Sequence, residues 1–399
     1  MSEPQSPAPR TGTQLTEEVV EEAPFTATAA ANAPSAQATG GRTFLPRSTL
    51  LRHLVILVLG AVAAVILLEI TDPFTNSQLA SVTYYAIAAG GLTVLTGMNG
   101  QISLGHGALM AVGAYTTALF LGVEGEPLPL PVIFLVAVLI TTVVGALVGV
   151  AAARLHGPYL AGATLALAVG LPGLALYFRD TLGGEQGLRV RAPQPPDWFR
   201  NFLSWVSGNA PSSTKWLAYV GAICLLITFF LLANLVRSRI GRTWRAVRDQ
   251  EVAAELAGIN LGLWRVLAFT VSAAAAGLAG AVLALVVRLA APSGFTLVLS
   301  LSLLTAIVIG GLGSLLGALL GSALLVFLPP YVTNLGGGLG LDQTESAQLA
   351  PFVYGVVLII AMIFAPAGFV GSIRLRWMSA RATRGASGRG TPARDETRA

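Results

Sequence analysis

The stretch Leu54-Val-Ile-Leu-Val-Leu-Gly-Ala-Val-Ala-Ala-Val-Ile-Leu-Leu-Glu-Ile70 carries one ionisable side chain, Glu69, close to its end. As an α-helix it approaches the about 20 apolar residues that cross the ~30 Å hydrocarbon core of a bilayer. Comparable apolar runs recur along the chain as far as Gly371. A core helix of a soluble protein would show a polar face instead. The pattern therefore predicts a chain that crosses a membrane many times.

The overall composition agrees with this prediction. Of the 399 residues, 54% are apolar and 11% are charged, against roughly 25% charged residues in soluble domains. We predict an all-α fold, a polytopic transmembrane helical bundle of about ten spans. The predicted spans are Leu54–Ile70, Leu79–Thr96, Ser103–Leu121, Pro131–Ala153, Tyr159–Phe178, Trp216–Leu235, Val266–Val287, Leu297–Gly311, Leu315–Val332 and Pro351–Pro366. The third, eighth and ninth are short or interrupted by glycine, so they are also compatible with half-helices or re-entrant segments.

The arginines predict the topology. They concentrate before the first span, in the loop 236–265 and in the C-terminal tail, and cytoplasmic loops favour such residues. Segment 179–215 disagrees, since it is predicted outside and still carries five cations, although longer segments follow the rule weakly. We predict cytoplasmic termini and a membrane domain over 46–373. The tails 1–45 and 374–399 contain few large apolar residues, so we expect disorder there.

The ionisable residues within the spans are few. Glu69 and His106 are the main ones, so a chain of proton-relaying groups is not evident, whereas sodium coupling through backbone carbonyls stays possible. The single cysteine, Cys224, allows no disulfide within the chain, and the three histidines lack neighbouring acids for a metal site. The one lysine, Lys215, is not part of a phosphate-binding loop. We therefore expect no catalytic residue, metal or cofactor, and ATP, if used, to be bound by a partner chain.

The loop between the sixth and seventh predicted spans is rich in helix formers from Thr243 to Ala257. Arg242, Arg245 and Arg248 recur every third residue, and Arg248 can meet Glu251 on the same helix face. A partial apolar stripe accompanies them, formed by Trp244, Val247, Val252 and Leu256. A short amphipathic helix of this kind suits a groove on a partner protein. A juxtamembrane loop whose arginines only set the topology explains the same residues equally well, and we expect no nucleic-acid partner.

Glycines and an asparagine in two regions predict local geometry. Gly258 suits the C-terminal cap of the loop helix, and Asn260 can cap the helix that re-enters the membrane. Other glycines predict close helix packing, within the chain or against a second subunit. These packing glycines are Gly105 and Gly113 in the third span, and Gly313, Gly317 and Gly321, which are spaced four apart as on one helix face.

Several segments resemble one family in the order in which they occur. Gly97-Met-Asn-Gly-Gln-Ile-Ser-Leu-Gly-His-Gly-Ala-Leu-Met-Ala-Val-Gly-Ala-Tyr115 and the loop Gly241–Asn260 are the most specific. Weaker segments are Arg154–Ala161, Gly183–Leu188, Thr305–Gly317 and Tyr354-Gly-Val-Val-Leu-Ile-Ile. Together they resemble the permeases of bacterial branched-chain amino acid ABC importers, of the LivM type.

The resemblance implies a multi-pass protein of the bacterial inner (plasma) membrane that imports branched-chain or other small apolar amino acids. It implies a second homologous permease subunit, two ATP-binding subunits and an extracytoplasmic solute-binding protein as partners. It also implies site residues. Those at or near the ATPase contact would be Arg242, Arg245, Arg248, Glu251, Glu255 and Gly258. Those near the translocation path would be Gln101, Ser103 and His106.

Two departures concern the substrate. Family members often carry an acidic residue in the fifth span, where this chain reads Thr164-Leu-Ala-Leu-Ala-Val-Gly-Leu-Pro172, and the long N-terminal tail is unusual. Relatives of this type also carry urea and short amides, which is one alternative. A stand-alone ion-coupled carrier and a membrane scaffold without transport are the others. The prediction that separates them is that this chain, purified alone, does not accumulate solute.

Overall fold

A computed structural model of the chain describes residues 49–122, 128–155, 158–207 and 212–338, together with short pieces between 342 and 372. The predicted disordered tails, 1–45 and 374–399, lie outside these residues, and so does most of the predicted span Pro351–Pro366. The all-α prediction is confirmed. Strand structure in the described part of the chain is one antiparallel pair of two-residue strands, β1 (Leu188–Arg189) and β2 (Leu289–Ala290).

Thirteen helices follow one another in the described residues. They are α1 (Thr49–Ile70), α2 (Pro73–Leu92), α3 (His106–Gly122), α4 (Leu130–Ala152), α5 (Pro158–Tyr177), α6 (Arg179–Leu182), α7 (Asp197–Ser207), α8 (Ser213–Arg237), α9 (Arg239–Asp249), α10 (Glu251–Leu256), α11 (Leu261–Val287), α12 (Leu297–Gly310) and α13 (Leu315–Gly338). A π-helical turn, Thr93–Met98, continues α2, and two 3₁₀ turns occupy Gly184–Gln186 and Pro292–Phe295.

The first nine predicted spans each correspond to one of these helices. Eight helices of the described part are long and apolar enough to cross a membrane. One of them is formed by α12 together with the 3₁₀ turn before it, and it corresponds to the predicted span Leu297–Gly311. The helix of the third predicted span, α3, has 17 residues and is shorter than the others. Residues 100–105 before it are not helical, so α3 begins at His106, after the predicted start at Ser103.

Helix α11 lies at the centre of the bundle, packed against α2, α3 and α4. Small residues make this possible. A Cβ at Gly113 of α3 would overlap the backbone of Gly277 in α11, and a Cβ at Gly280 would overlap the carbonyl of Met110. Gly105, just before α3, approaches α5 in the same way, since a Cβ there would lie 2.8 Å from the Thr164 oxygen. Helix backbones in direct contact gain dispersion energy that bulkier side chains would prevent.

The pair α12 and α13 also packs through glycine. A Cβ at Gly321 would overlap the carbonyl of Ala306, and one at Gly317 would lie 2.5 Å from the Gly310 oxygen. These two glycines therefore face α12 of the same chain. The prediction of a single helix face is wrong for Gly313, which lies in the turn before α13. Gly311 and Gly313 take φ values of 116° and 84°, which end α12 and reverse the chain.

The N-terminal end of α2 is set by a capping carboxylate. Asp72 accepts hydrogen bonds from the backbone N–H groups of Phe74 and Thr75 and from the Thr75 hydroxyl. The hydrogen bonds from Thr75 stabilise the ionised form and lower the pKa of Asp72. Pro73 follows at the first helical position, where its missing N–H has no cost.

Helix α1 stands at the edge of the bundle and packs mainly on α8. A polar contact fastens each of its ends. Near one end, His53 Nδ1 lies 2.7 Å from Asn234 Oδ1. At the other end, Glu69 accepts from Lys215 Nζ at 2.6 Å and from the Tyr219 hydroxyl at 2.8 Å. Since Lys215 lies near the start of α8 and Asn234 near its end, these contacts hold α1 along most of the length of α8.

Candidate functional site

The loop between α8 and α11 contains two short helices, α9 and α10, which meet at Gln250. We call this pair of helices the α9–α10 hairpin. Ser238 caps α9 by accepting from the Ile240 N–H at 3.1 Å, and a Cβ at Gly241 would overlap the Val236 carbonyl, so only glycine permits this tight turn. The prediction of one helix over 243–257 is wrong. The chain is extended at Gln250, with φ −153° and ψ 88°, and this residue separates α9 from α10.

The junction of α10 with α11 follows the predicted caps. Gly258 has a φ of 82° and donates its N–H to the Glu255 carbonyl at 2.9 Å, while Ile259 donates to Ala254 at 3.0 Å. Asn260 then accepts from the Leu263 N–H at 3.1 Å and begins α11. The hairpin is thereby joined to the central helix of the bundle without a flexible linker.

One side of the hairpin is fixed to the bundle. Trp244 and Val247 of α9 are fully buried, and the Trp244 indole N–H donates to the Trp264 carbonyl at 3.0 Å. Glu251 pairs with Arg265 of α11 at 2.6 Å. The expected Arg248–Glu251 pair is therefore wrong. The break at Gln250 turns Glu251 away from α9 and towards Arg265.

Three of the four arginines of α9 are predicted site residues, and they have different partners. Arg242 donates to the Arg237 carbonyl at 3.3 Å, and Arg245 donates to the Gly241 and Val236 carbonyls at 3.1 and 3.4 Å. Cations at this position stabilise the C-terminal end of α8, whose last carbonyls lack helical partners. Of these three, only Arg248 reaches another span: it donates to the Gly97 carbonyl, in the π-helical turn that continues α2, and it pairs with Asp249 at 2.8 Å.

Three segments distant in sequence meet around Gly97. The side-chain stem of Arg248 lies against Gly100, where a Cβ would be 2.9 Å from Arg248 Cγ. A Cβ at Gly97 would overlap the backbone of Gly313, which lies in the turn between α12 and α13. Helix α9, the π-helical turn after α2 and the α12–α13 turn thus form one contact, which we call the Gly97 junction.

Two of the predicted path residues, Gln101 and Ser103, lie in the segment that connects α2 to α3, and the third, His106, is the first residue of α3. Gln101 donates to the Arg265 carbonyl at 3.1 Å, and Ser103 accepts from the Gly105 N–H at 3.3 Å. His106 is completely buried, with Nε2 3.5 Å from the Ser272 hydroxyl of α11 and no partner for Nδ1 among the described residues. All three are thus enclosed by the chain, and their part in translocation stays a prediction.

The other side of α10 is open. Val252 is 71% exposed and Leu256 86% exposed, and Glu255 lies beside them, also exposed. We call these three residues the α10 face. Helix periodicity places them on one side, turned away from Ala254, which is buried. The predicted apolar stripe is therefore divided, with its α9 half inside the protein and its α10 half on the surface.

Sequence reasoning missed several parts of this site. The Arg265–Glu251 pair, the Trp244–Trp264 bond and the Gly97 junction join residues far apart in sequence. One signal in the sequence could have predicted the ion pair. Arg265 occurs at the start of an apolar run, where an unpaired cation would be costly, so an acidic partner was to be expected. Within the described residues, no three metal-ligating side chains lie together.

Comparison with known proteins agrees with this architecture. The family profile "Branched-chain amino acid transport system / permease component" matches residues 74–362, beginning just after α1. The high-affinity branched-chain amino acid transport permease LivM of Salmonella typhimurium is 30% identical over 78% of this chain and 74% of its own length. BraD of Pseudomonas aeruginosa, which has the corresponding description, is 27% identical over 72% of this chain and 91% of its own.

A more distant relative is the ribose import permease RbsC of Escherichia coli, which is 23% identical over 82% of this chain and 97% of its own length. No solved structure matches the chain. The LivM identity, the extent of the family match and the apolar helices place the protein in the inner membrane as a multi-pass permease subunit of an importer. The chain therefore belongs to the family of permease components of branched-chain amino acid transport systems.

Proposed function

We propose that this permease carries branched-chain or other small apolar amino acids inward, and that an ATP-binding partner drives it through the α9–α10 hairpin. The solute is inferred from what LivM and BraD are named for. The proposed assembly contains a second homologous permease, two ATP-binding subunits and an external solute-binding protein. ATP is bound by the partner subunits, so this chain needs no cofactor of its own.

The observation that carries the driving role is the double attachment of the hairpin. Arg248 joins α9 to the end of α2 at the Gly97 junction, and Glu251 joins α10 to the start of α11. Both spans lie in the most buried part of the bundle. A displacement of the hairpin would therefore be transmitted to these two helices, as well as to α8, from which α9 continues.

The α10 face supplies a surface for the partner. Its two exposed aliphatic side chains beside a glutamate resemble the mixed apolar and charged composition of protein interfaces. A short amphipathic helix can fill a groove on a second protein. Arg242 and Arg245 are exposed on the adjoining helix and extend this surface, although their guanidinium groups also bind the end of α8.

The proposed cycle requires two states of the bundle. Nucleotide binding can favour one of them only if the partner subunits bind the hairpin differently in the two states. The permease contributes the path and the movement but breaks no bond. Gln101 of the segment after α2 and His106 of α3 both contact α11, and the hairpin holds α2 and α11, so we place the translocation path beside these two residues and Ser103.

The test is uptake by the reconstituted complex in proteoliposomes. We expect ATP-dependent accumulation of labelled leucine, and little accumulation of labelled urea or ribose. Accumulation of urea in preference to leucine would favour the alternative of an amide permease. Solute accumulation by this chain alone, driven by an ion gradient, would refute the proposal that a partner supplies the energy.

A further inference from the structure

Helix α7 lies between α5 and α8, at the end of α8 opposite the α9–α10 hairpin. The side of α7 away from its tryptophans carries Ser204 and Arg200, which pairs with Asp197, while Asn201 lies between the two tryptophans in the helical repeat. The apolar side chains that the structure describes are of two kinds. Phe199 and Leu203 are buried against the bundle, whereas Trp198 is 68% exposed and Trp205 is 83% exposed.

The buried side of α7 fixes its depth relative to the spans. The ring of Phe199 lies 4.5 Å from that of Trp216 and 5.4 Å from that of Tyr219, both in the first two turns of α8. The Tyr219 hydroxyl donates to Glu69, in the last turn of α1. Helix α7 therefore lies at the level where α1 ends and α8 begins, which is the boundary of the spanning region.

The exposed side of α7 continues a lipid-facing surface. Below Trp216 and Tyr219, one side of α8 exposes Ile223, Ile227 and Leu231, each at least half accessible. Residues at this spacing share one face of a helix, and in a membrane protein such a face contacts acyl chains. Because α7 covers the end of this face, its exposed tryptophans lie at the depth of the boundary between the acyl chains and the headgroups.

We propose that α7 lies flat in the headgroup region of the outer leaflet, with Trp198 and Trp205 inserted among phospholipids. Seven residues separate the two tryptophans, which places them on the same side of the helix. Indole rings are enriched at this depth because their apolar body and polar N–H suit opposite sides of the boundary. Short amphipathic helices with tryptophan on the apolar face and charge on the other bind membranes in this orientation.

The anchoring would hold more than α7. The segment before it contains β1, which pairs with β2 after α11, so the outer ends of α5, α8 and α11 share one connected layer. Fixing α7 in the headgroups would keep this layer at constant depth while the opposite end of the bundle moves. The inference depends on the membrane location of the chain and not on its solute.

Spin-label accessibility tests the position of α7. In the full-length Cys224→Ala chain in nanodiscs of phosphatidylethanolamine and phosphatidylglycerol, labels would be placed by Trp198→Cys and Trp205→Cys. Ser204→Cys on the polar side is the water-facing control, and Ile227→Cys is the acyl-chain control. We expect the ratio of oxygen to nickel-chelate accessibility at 198 and 205 to be about threefold higher than at 204 and lower than at 227.

A ratio at 198 and 205 equal to that at 204 would place the tryptophans in water and overturn the proposal. Low accessibility to both reagents would place them under protein, either a second permease or an external binding protein, and would overturn it equally. A measurement without cysteine substitution covers the case in which the labelled variants fail to fold. It compares tryptophan quenching of the natural chain with that of the Trp198→Phe, Trp205→Phe double variant.

The difference in quenched fluorescence between the natural chain and the double variant comes from Trp198 and Trp205 alone. Lipids brominated near the glycerol should quench it about twofold more strongly than lipids brominated near the acyl-chain end. Equal and weak quenching by both lipids would show that the tryptophans do not contact phospholipid. Stronger quenching by the deep bromines would place α7 inside the hydrocarbon core and refute the headgroup position.

Discussion

Helices α1 and α11 are both apolar enough to span a membrane, yet they are held in different ways. In the most apolar 18 residues of α1, 11% are buried inside the protein, whereas in those of α11 the share is 67%. Helix α11 meets three neighbours through alanine and glycine, and α1 meets mainly α8 with a polar contact at each end. Hydropathy alone cannot distinguish them, because lipid and protein interior are similarly apolar. What differs is the size of the side chains and the location of the polar groups.

The largest expected effect tests the backbone contact of α11. Gly113→Leu should abolish stable folding, since the Cβ alone would overlap the Gly277 backbone, and overpacking of this kind costs about 3 kcal/mol or more. The matched control is Gly170→Leu in α5, where nothing lies within 4 Å of an added Cβ. Fluorescence-detected size-exclusion in detergent after heating measures both. Equal melting of the two variants would show that the α3–α11 contact does not limit stability.

The second effect concerns transmission from the hairpin to α2. Arg248→Ala should lower ATP-dependent uptake about tenfold, in the usual range for coupling between sites, and leave the partner's ATP hydrolysis largely intact. Arg239→Ala is the control, because it removes an equal charge from an exposed position of the same helix. The measurements are uptake and hydrolysis in the same proteoliposomes. If both variants transport like the natural chain, the Gly97 junction is not part of the driving path.

The third effect tests how α1 is fastened. Lys215→Met leaves Glu69 without its cation, and both side chains are mostly enclosed, with 17% and 15% exposure. We expect a loss of about 1–2 kcal/mol, between the values for surface and buried ion pairs. Adding Glu69→Gln should restore part of this loss, because a neutral amide at this position does not need the lysine charge. Thermal unfolding of the single and double variants gives the coupling energy, and strictly additive losses would argue against the pair.

The smallest expected change in stability is at the α10 face. Replacing Val252 and Leu256 by serine should alter unfolding by no more than about 0.5 kcal/mol, since both side chains are already exposed. Binding of the ATP-binding subunits should nevertheless weaken, measurable by co-purification. Val247→Ser, on the buried half of the same stripe, is the contrasting variant, and it should destabilise the chain. Unaltered co-purification of the first variant would place the partner elsewhere.

Much of the fold was predictable because membrane spans are local features. Runs of apolar residues indicate helices wherever they occur, and capping residues such as Asn260 and Gly258 act within one turn. The hairpin was predicted less well. Helix propensity favours one continuous helix over 243–257, but the chain is extended at Gln250 so that Glu251 can meet Arg265. A long-range ion pair at the membrane edge outweighs the small propensity gain of one more helical residue.

The sequence by itself determined that this protein is an all-α membrane bundle, which family it belongs to and that an arginine-rich loop separates its sixth and seventh spans. These properties depend on hydropathy and short motifs, which neighbouring residues along the chain express. Only the tertiary structure decided that Arg248 reaches Gly97, that Gly313 lies in a turn while Gly317 faces α12, and that α10 divides the apolar stripe. Those contacts join residues far apart in the chain, and their energy depends on close approach in space that no local pattern records.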